Sequence, residues 1–464
     1  MPVDGQTQAQ ARLVLNRHEG AAAHPAPDQW EDADDLHYLY REYAILVRQA
    51  EADRVTAQLQ LILDDAGYGD VPEGDAREIQ REEISRGLVR LTVPPTPTLV
   101  PDLVARLDED LWPGIAKPDH KVYLCPKMCP ATEPIEVSGR AVPVPASGSD
   151  AGHGTPWAGN DGYGVSVSVV DTGLISGAAA RHAWLTGVRG DPEDPYTTDD
   201  EGHSVLAPYA GHGTFGAGVL RCVAPKASVY VEGAFNNAGA DYESKLLSNL
   251  EDALDRDPDI LVFTFASATH RDQSLKTFDE LYDRRISRTK GLVVLAPAGN
   301  DGTSQPRWPA AHPAVIGVGA LAANGRQRAP WSNYGRWVDV YAPGEDLVNA
   351  YPDGTYVCTE PPNVDERREF QGMAMWSGTS FSTPLVAGLI AARMSQTGES
   401  ARQAWDALQR FACSQAIPGV GPVLYPGQAG CEPGWGAAQR TRIPSMRTAL
   451  GEDSTSRSSR GSSW

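Results

Sequence analysis

The sequence predicts an α/β protein: a mostly parallel sheet flanked by helices, preceded by a small α+β module. Two patterns carry this. From about residue 161 to 442, runs that are apolar on both faces (GVSVSVVD, ASVYVEGA, DILVFTF, GLVVLAPAGN, AVIGVGA, WVDVYAP) alternate with amphipathic stretches such as YESKLLSNLEDALDR and SLKTFDELYDRRISR. Strands buried on both faces and separated by helices belong to parallel sheets with helical crossovers. From about 36 to 135 the order is REYAILVRQA (strand), DRVTAQLQLILDDAG (helix ended by Gly67), GLVRLTV (strand), PDLVARLDEDL (helix) and KVYLC (strand). This alternation is short and reads as a separate α+β unit.

The flanks have a different composition. Residues 1–35 lack periodicity and read as a disordered arm; 136–160 are rich in Pro, Gly and Ser and read as a linker; 443–464 end in STSRSSRGSSW and read as a disordered tail.

Composition excludes several classes. Sixty Asp and Glu against 40 Lys and Arg leave a net charge of -20 in 464 residues. Such a chain repels phosphate backbones, so nucleic acid is not an expected partner. No run approaches the roughly 18 apolar residues of a membrane span. No basic region followed by an apolar stretch opens the chain, so a cytoplasmic protein is expected, with export by another route as the alternative. Six cysteines are too sparse for a disulfide scaffold, and Cys125 and Cys129 near His120 are too loosely spaced for zinc. No metal or cofactor is expected.

In open sheets of this kind chemistry sits at the carboxyl ends of strands. GVSVSVV ends in Asp171-Thr172-Gly173, which alone is an ordinary strand-to-turn signal. Gly211-His212-Gly213-Thr214 sets a histidine between glycines, either as a tight turn or where something must approach closely. Ser380 follows Ser377-Gly378-Thr379 and precedes FSTPLVAGLIAARM, in which Pro384 fits the first turn of a helix. A helix N-terminus favours the negative charge that an acyl-transfer intermediate develops. Asn300 ends the buried run GLVVLAPAGN after a glycine, where its amide could donate a second hydrogen bond to that charge.

The ordered set D-T-G, G-H-G-T, A-G-N and G-T-S-F-S-T-P resembles the subtilisin-like serine peptidases over about 161 to 442, with VAPKASV, HPAVIGVGAL and WSNYGRWVDVYAPG as further matching pieces. The resemblance implies Ser380 as nucleophile, His212 as base, Asp171 as its orienting carboxylate, and Asn300 with the Ser380 backbone N–H as the oxyanion hole. It implies a serine endopeptidase with peptide or protein substrates and no cofactor. It also makes the 36–135 module comparable to a ferredoxin-like propeptide, an intramolecular inhibitor, with processing expected between about 136 and 162. An accessory domain that is never removed is the alternative.

Three departures accompany the resemblance. Phe215 stands where relatives commonly carry a second histidine. Only Thr214 to Cys222 separate Gly213 from Val223, too few residues for the calcium loop many relatives insert there. Thr264-Phe265-Ala266-Ser267 replaces Ser-Leu-Gly in the wall of the pocket for the residue before the scissile bond. The inserts GLISGAAARHAWLTGVRGDPEDPYTTDDEGHSVLAPYAG and CTEPPNVDERREFQG could serve recognition, as in a maturation enzyme or transpeptidase for one dedicated peptide; a non-catalytic peptide-binding scaffold is a further alternative. The β-carbon of Ala266 narrows the pocket wall if the backbone path is kept, so cleavage profiling should disfavour Phe and Tyr before the scissile bond; a preference for either would refute this.

Overall fold

The computed structural model describes residues 36–65, 78–124, 132–143 and 161–426, with short breaks at 97, 139–140, 200, 236–238 and 361, together with 11, 14–15 and 20–26. The module consists of β1 (Tyr38–Arg48), α1 (Ala52–Asp65), β2 (Gln80–Ser85), β3 (Leu88–Thr92), α2 (Val100–Asp110) and β4 (Ala116–Tyr123). Helix α1 buries Val55, Leu59, Ile62 and Leu63 on one stripe, and α2 buries Leu103, Val104 and Leu107 after Pro101 in its first turn. Both pack on a sheet of order β4-β1-β3-β2, antiparallel throughout. This is the βαββαβ order of a ferredoxin-like unit.

Strand β2 escaped the sequence reading. QREEIS has no alternation and is largely exposed, because it is a charged edge strand. The arm expected to be disordered contains structure as well: Ala21–His24 pairs antiparallel with Tyr38 to Arg41, and Ala23 is buried against Leu36 and Leu39. Cys125, Cys129, Gly67 and residues 144–160 and 427–464 lie outside the described residues.

The larger part opens with β5 (Ile135–Glu136) and β6 (Ser166–Asp171). Then follow β7 (Arg189–Gly190), α3 (His212–Val223), β8 (Ser228–Gly233), β9 (Ala240–Tyr242), α4 (Glu243–Asp255), β10 (Ile260–Phe263), α5 (Lys276–Arg284) and β11 (Val293–Pro297). It continues through β12 (Val315–Leu321), β13 (Val340–Pro343), β14 (Leu347–Val357), β15 (Arg367–Trp376), α6 (Thr379–Thr397) and α7 (Ala401–Ser414). Seven strands form a parallel sheet of order β13-β12-β11-β10-β6-β8-β7.

Each central strand is apolar on both faces because each face is covered. Ile260 and Val262 of β10 join Val167, Val169 and helices α3, α6 and α7, whereas Leu261 and Phe263 join Val170 and helices α4 and α5. Helix α6 is buried on nearly every side, which explains its lack of a polar stripe. It begins at Thr379, so Pro384 lies in the second turn rather than the first, and its missing N–H cannot bond the Ser380 carbonyl. Among the described residues no helix is long and apolar enough to cross a membrane.

The module docks on α4 and α5 and adds its edge strand to the larger part. Strand β9 pairs antiparallel with β4, Tyr242 opposite Lys121 and Ala240 opposite Tyr123. Asp119 of β4 accepts from the Ser244 N–H at 3.1 Å and its hydroxyl at 2.6 Å, in the first turn of α4. Glu243 accepts from the Thr277 N–H at 2.9 Å in the first turn of α5, and its other oxygen lies 2.8 Å from His120 Nδ1. Two carboxylates thus satisfy N–H groups that helix ends leave unpaired.

His270 extends this contact, with Nδ1 2.9 Å from the Tyr38 hydroxyl and its N–H donating to His120 Nε2 at 3.0 Å. Burial, helped by His120, Arg271 and His24, lowers His270 from 6.5 to about 4. The unfolded chain therefore takes up a proton near pH 6.5 that the folded site accepts only near pH 4, so stability falls as pH falls through that window. Thermal unfolding midpoints of the full chain should drop between these limits, and His270→Gln should flatten the decline; an equally steep decline in the variant would refute the assignment.

Candidate active site

Asp171 is the last residue of β6, and its backbone neighbour Thr172 donates an N–H to Asp171 Oδ1 at 2.6 Å. His212 is the first residue of α3, which follows Gly211 at φ +72°. A β-carbon on Gly211 would lie 2.5 Å from Pro352, and one on Gly213 would lie 2.4 Å from the Gly173 carbonyl and 2.9 Å from Val231. The glycines are therefore required by close approach, and Gly211 also takes the left-handed conformation of a turn. Ser380 stands in the first turn of α6.

These three side chains, 41 and 168 residues apart in sequence, meet in one line. His212 Nδ1–H donates to Asp171, with Oδ1 at 2.8 Å and Oδ2 at 2.9 Å, because an ionised carboxylate can only accept. Nε2 is then the acceptor, 3.1 Å from Ser380 Oγ. All three residues are 0% exposed, so the hydrogen bonds lie away from solvent. The imidazole packs on Phe381 at 4.8 Å and edge-on to Trp376 at 5.6 Å between ring centroids. Phe215 completes that aromatic cluster, 4.4 Å from Phe381, which is the role of the residue standing in place of a second histidine.

Asn300 is brought to the same place. Its Oδ1 accepts from the Thr379 N–H at 3.0 Å and the Thr379 hydroxyl at 2.8 Å, which fixes the rotation of the amide and makes Nδ2 its donor end. Gly299, at φ +92°, passes so close to Asn333 that a β-carbon would lie 2.6 Å from Asn333 Nδ2. Asn333 in turn accepts from the Asp301 and Thr303 N–H groups, and buried Arg307 pairs with Asp301 at 2.9 Å.

Thr264 to Ser267 follow β10 as a buried wall. The Thr264 hydroxyl donates to the Val170 carbonyl at 2.8 Å, and Phe265 packs on Phe235 and Phe263. Ala266 presents backbone: its N–H donates to the Tyr123 carbonyl at 2.9 Å, and the Tyr123 N–H returns to the Ala266 carbonyl at 3.4 Å. The Ser267 hydroxyl reaches the Lys121 carbonyl at 2.8 Å, and the Leu124 N–H donates to the Gly239 carbonyl at 2.9 Å. The end of the module therefore lies between two backbone edges as a third strand.

Helix α3 runs unbroken from His212 to Val223, with no loop inserted. His120 is engaged by Glu243 and His270. Among the described residues one group, Asp199, Glu201 and His203, has the spacing of metal ligands, in a turn where Arg367 already pairs with Asp199. Cys222 is buried, which pushes its thiol up to about 12.

The sequence matches the subtilase family, peptidase S8, over residues 162–430. It is 30% identical to subtilisin DY of Bacillus licheniformis over 250 residues, 51% of this chain and 79% of that protein. It is 31% identical to subtilisin E of Bacillus subtilis over 254 residues, 51% of this chain and 57% of that protein. The crystal structure of fervidolysin from Fervidobacterium pennivorans superposes with a TM-score of 0.54 at 17% identity, covering 84% of this chain and 61% of that chain. That likeness is one of fold and is too long to be confined to residues 161–426. The chain belongs to the subtilase family and has the enzyme class of a subtilisin-type serine endopeptidase.

Gly213→Ala should force the start of α3 away from β6, costing about 1–3 kcal/mol by overpacking. Urea unfolding should show the loss and peptidase activity should fall with it; an unchanged midpoint would mean that the close approach is relieved.

Proposed function

We propose that the chain hydrolyses peptide bonds through an acyl-enzyme on Ser380. The continuous hydrogen-bonded line Asp171, His212, Ser380 in a dry setting carries this reading. Ser380 Oγ attacks the substrate carbonyl carbon while His212 Nε2 takes the hydroxyl proton, because a serine hydroxyl is a poor nucleophile without an adjacent base. Asp171 holds Nδ1 protonated and stabilises the imidazolium that forms. The intermediate's oxyanion takes hydrogen bonds from Asn300 Nδ2 and the Ser380 backbone N–H. As the C–N bond breaks, His212 returns the proton to the leaving amine, and water repeats the sequence to release the acid.

The module acts as an intramolecular inhibitor in this reading. Support comes from the way Tyr123 and Leu124 lie along Ala266 and Gly239, an antiparallel pairing of the kind an extended substrate would make. Residues past the module are built into the larger part. The Trp376 indole N–H donates to the Thr132 carbonyl at 2.6 Å, Glu133 accepts from the Thr359 N–H at 2.6 Å and the Tyr356 hydroxyl at 3.1 Å, and Ile135 and Glu136 pair with Met375 and Ala374. A releasing cut therefore belongs between Leu124 and Thr132 rather than in 136–162, where it would leave this strand and the module in place.

Intact mass after fluorophosphonate treatment tests the assignment. Wild-type chain cut between 124 and 132 should gain one adduct, Ser380→Ala none, and the uncut chain should label slowly. Asn300→Ala should still label but lose about 10²–10³-fold in kcat. No adduct on the cut wild type would overturn the triad; equal labelling of cut and uncut chain would overturn inhibition by the module.

A further inference from the structure

Glu193 is a carboxylate beside the catalytic line with no part in the chemistry above. It belongs to the insert between Gly173 and Ala210, where Pro192–Glu193 pairs parallel with Leu174–Ile175 directly after the Asp171 turn. The Leu174 N–H donates to the Asp191 carbonyl at 2.8 Å. Gly173, at φ +103°, lets that segment close, since a β-carbon would lie 2.7 Å from the Asp191 oxygen.

Although the residue is only half-buried, its two carboxyl oxygens turn onto inward partners. Oε1 accepts from the Gly211 N–H at 2.6 Å, and Oε2 forms a 2.9 Å hydrogen bond with the Thr172 hydroxyl. Thr172 Oγ1 also accepts from the Gly213 N–H at 3.0 Å. Glu193 and Thr172 together thus tie the residue after Asp171 to the residues on either side of His212. A helix cap alone would need only the N–H contacts; the bond to Thr172 joins the cap to the strand that carries the carboxylate.

We propose that Glu193 is a positioning residue of the catalytic pair, holding the first turn of α3 against the end of β6 so that the His212 imidazole meets both oxygens of Asp171. This role rests on the assignment of Asp171, His212 and Ser380 made above. Burial, opposed by the two hydrogen bonds and reinforced by the charge of Asp171, raises the Glu193 carboxyl to about 8. Oε1 accepts from the Gly211 N–H and Oε2 accepts from the Thr172 hydroxyl. A glutamine keeps its carbonyl toward Gly211 and can turn its amide toward Thr172 Oγ1, which accepts as it does from Gly213; an alanine can make neither bond.

The test uses the chain cut between 124 and 132 and its Glu193→Gln and Glu193→Ala variants cut in the same way, with two readouts: kcat and KM on a peptide ester, and the low-field proton resonance of His212 Nδ1–H bonded to Asp171. Glu193→Ala should lower kcat by about 10²-fold at unchanged KM, the scale of a misplaced catalytic group, and should shift or broaden the resonance. Glu193→Gln should restore both. If the alanine variant does not fold, Thr172→Val, which keeps the shape and removes the hydroxyl, carries the same expectation as alanine. A normal resonance and kcat in Glu193→Ala, a loss confined to KM or to the unfolding midpoint, or a glutamine variant as impaired as alanine would each overturn the proposal. If the wild type neither turns over nor takes a fluorophosphonate once cut, the triad assignment fails, and the resonance still decides the role of Glu193.

Discussion

One imidazole with a bond on each side governs the architecture. For His212 to face Asp171 through Nδ1 and Ser380 through Nε2, a strand end and two helix starts must converge within hydrogen-bonding distance, without solvent to relax the error. A parallel sheet supplies that convergence, because its strand ends and the N-termini of its crossover helices share one edge. The tight glycines, the aromatic cluster under the imidazole and the helix buried behind Ser380 follow from holding those three points still.

The second governing feature is a pair of backbone edges. Residues 264–267 and 239–242 leave paired edges that accept an extended segment, and the module fills the space between them with its own last strand. Its Asp119 carboxylate also completes the start of α4, and its His120 holds Glu243, whose other oxygen accepts at the start of α5. The module therefore contributes in two ways to surfaces that would otherwise be unsatisfied: ladder bonds along the edges and acceptors at the helix ends.

Much of this was legible because each catalytic candidate stands at a break in a pattern. Asp171 and Asn300 end apolar runs, His212 sits between glycines, and Ser380 opens an apolar helix. Pro384 was placed one turn too early, since helix α6 starts at Thr379, closer to the serine than the apolar pattern indicated. Strand β2 was missed because an edge strand with six largely polar residues has no hydrophobic period. Glu193 had no signal of any kind. It lies in an insert between two motifs, and only the fold brings it against Thr172 and Gly211.

The short strand at 135–136 has a consequence for where this enzyme begins. The family match opens at residue 162, yet Thr132 to Glu136 supply a ladder strand to β15, a carbonyl to the Trp376 indole and an acceptor for the Thr359 amide. Trp376 is itself packed against the His212 imidazole. A chain started at the family boundary would present an unpaired sheet edge and an unmatched indole N–H within one ring of His212, so the folded unit reaches back some thirty residues before the family match.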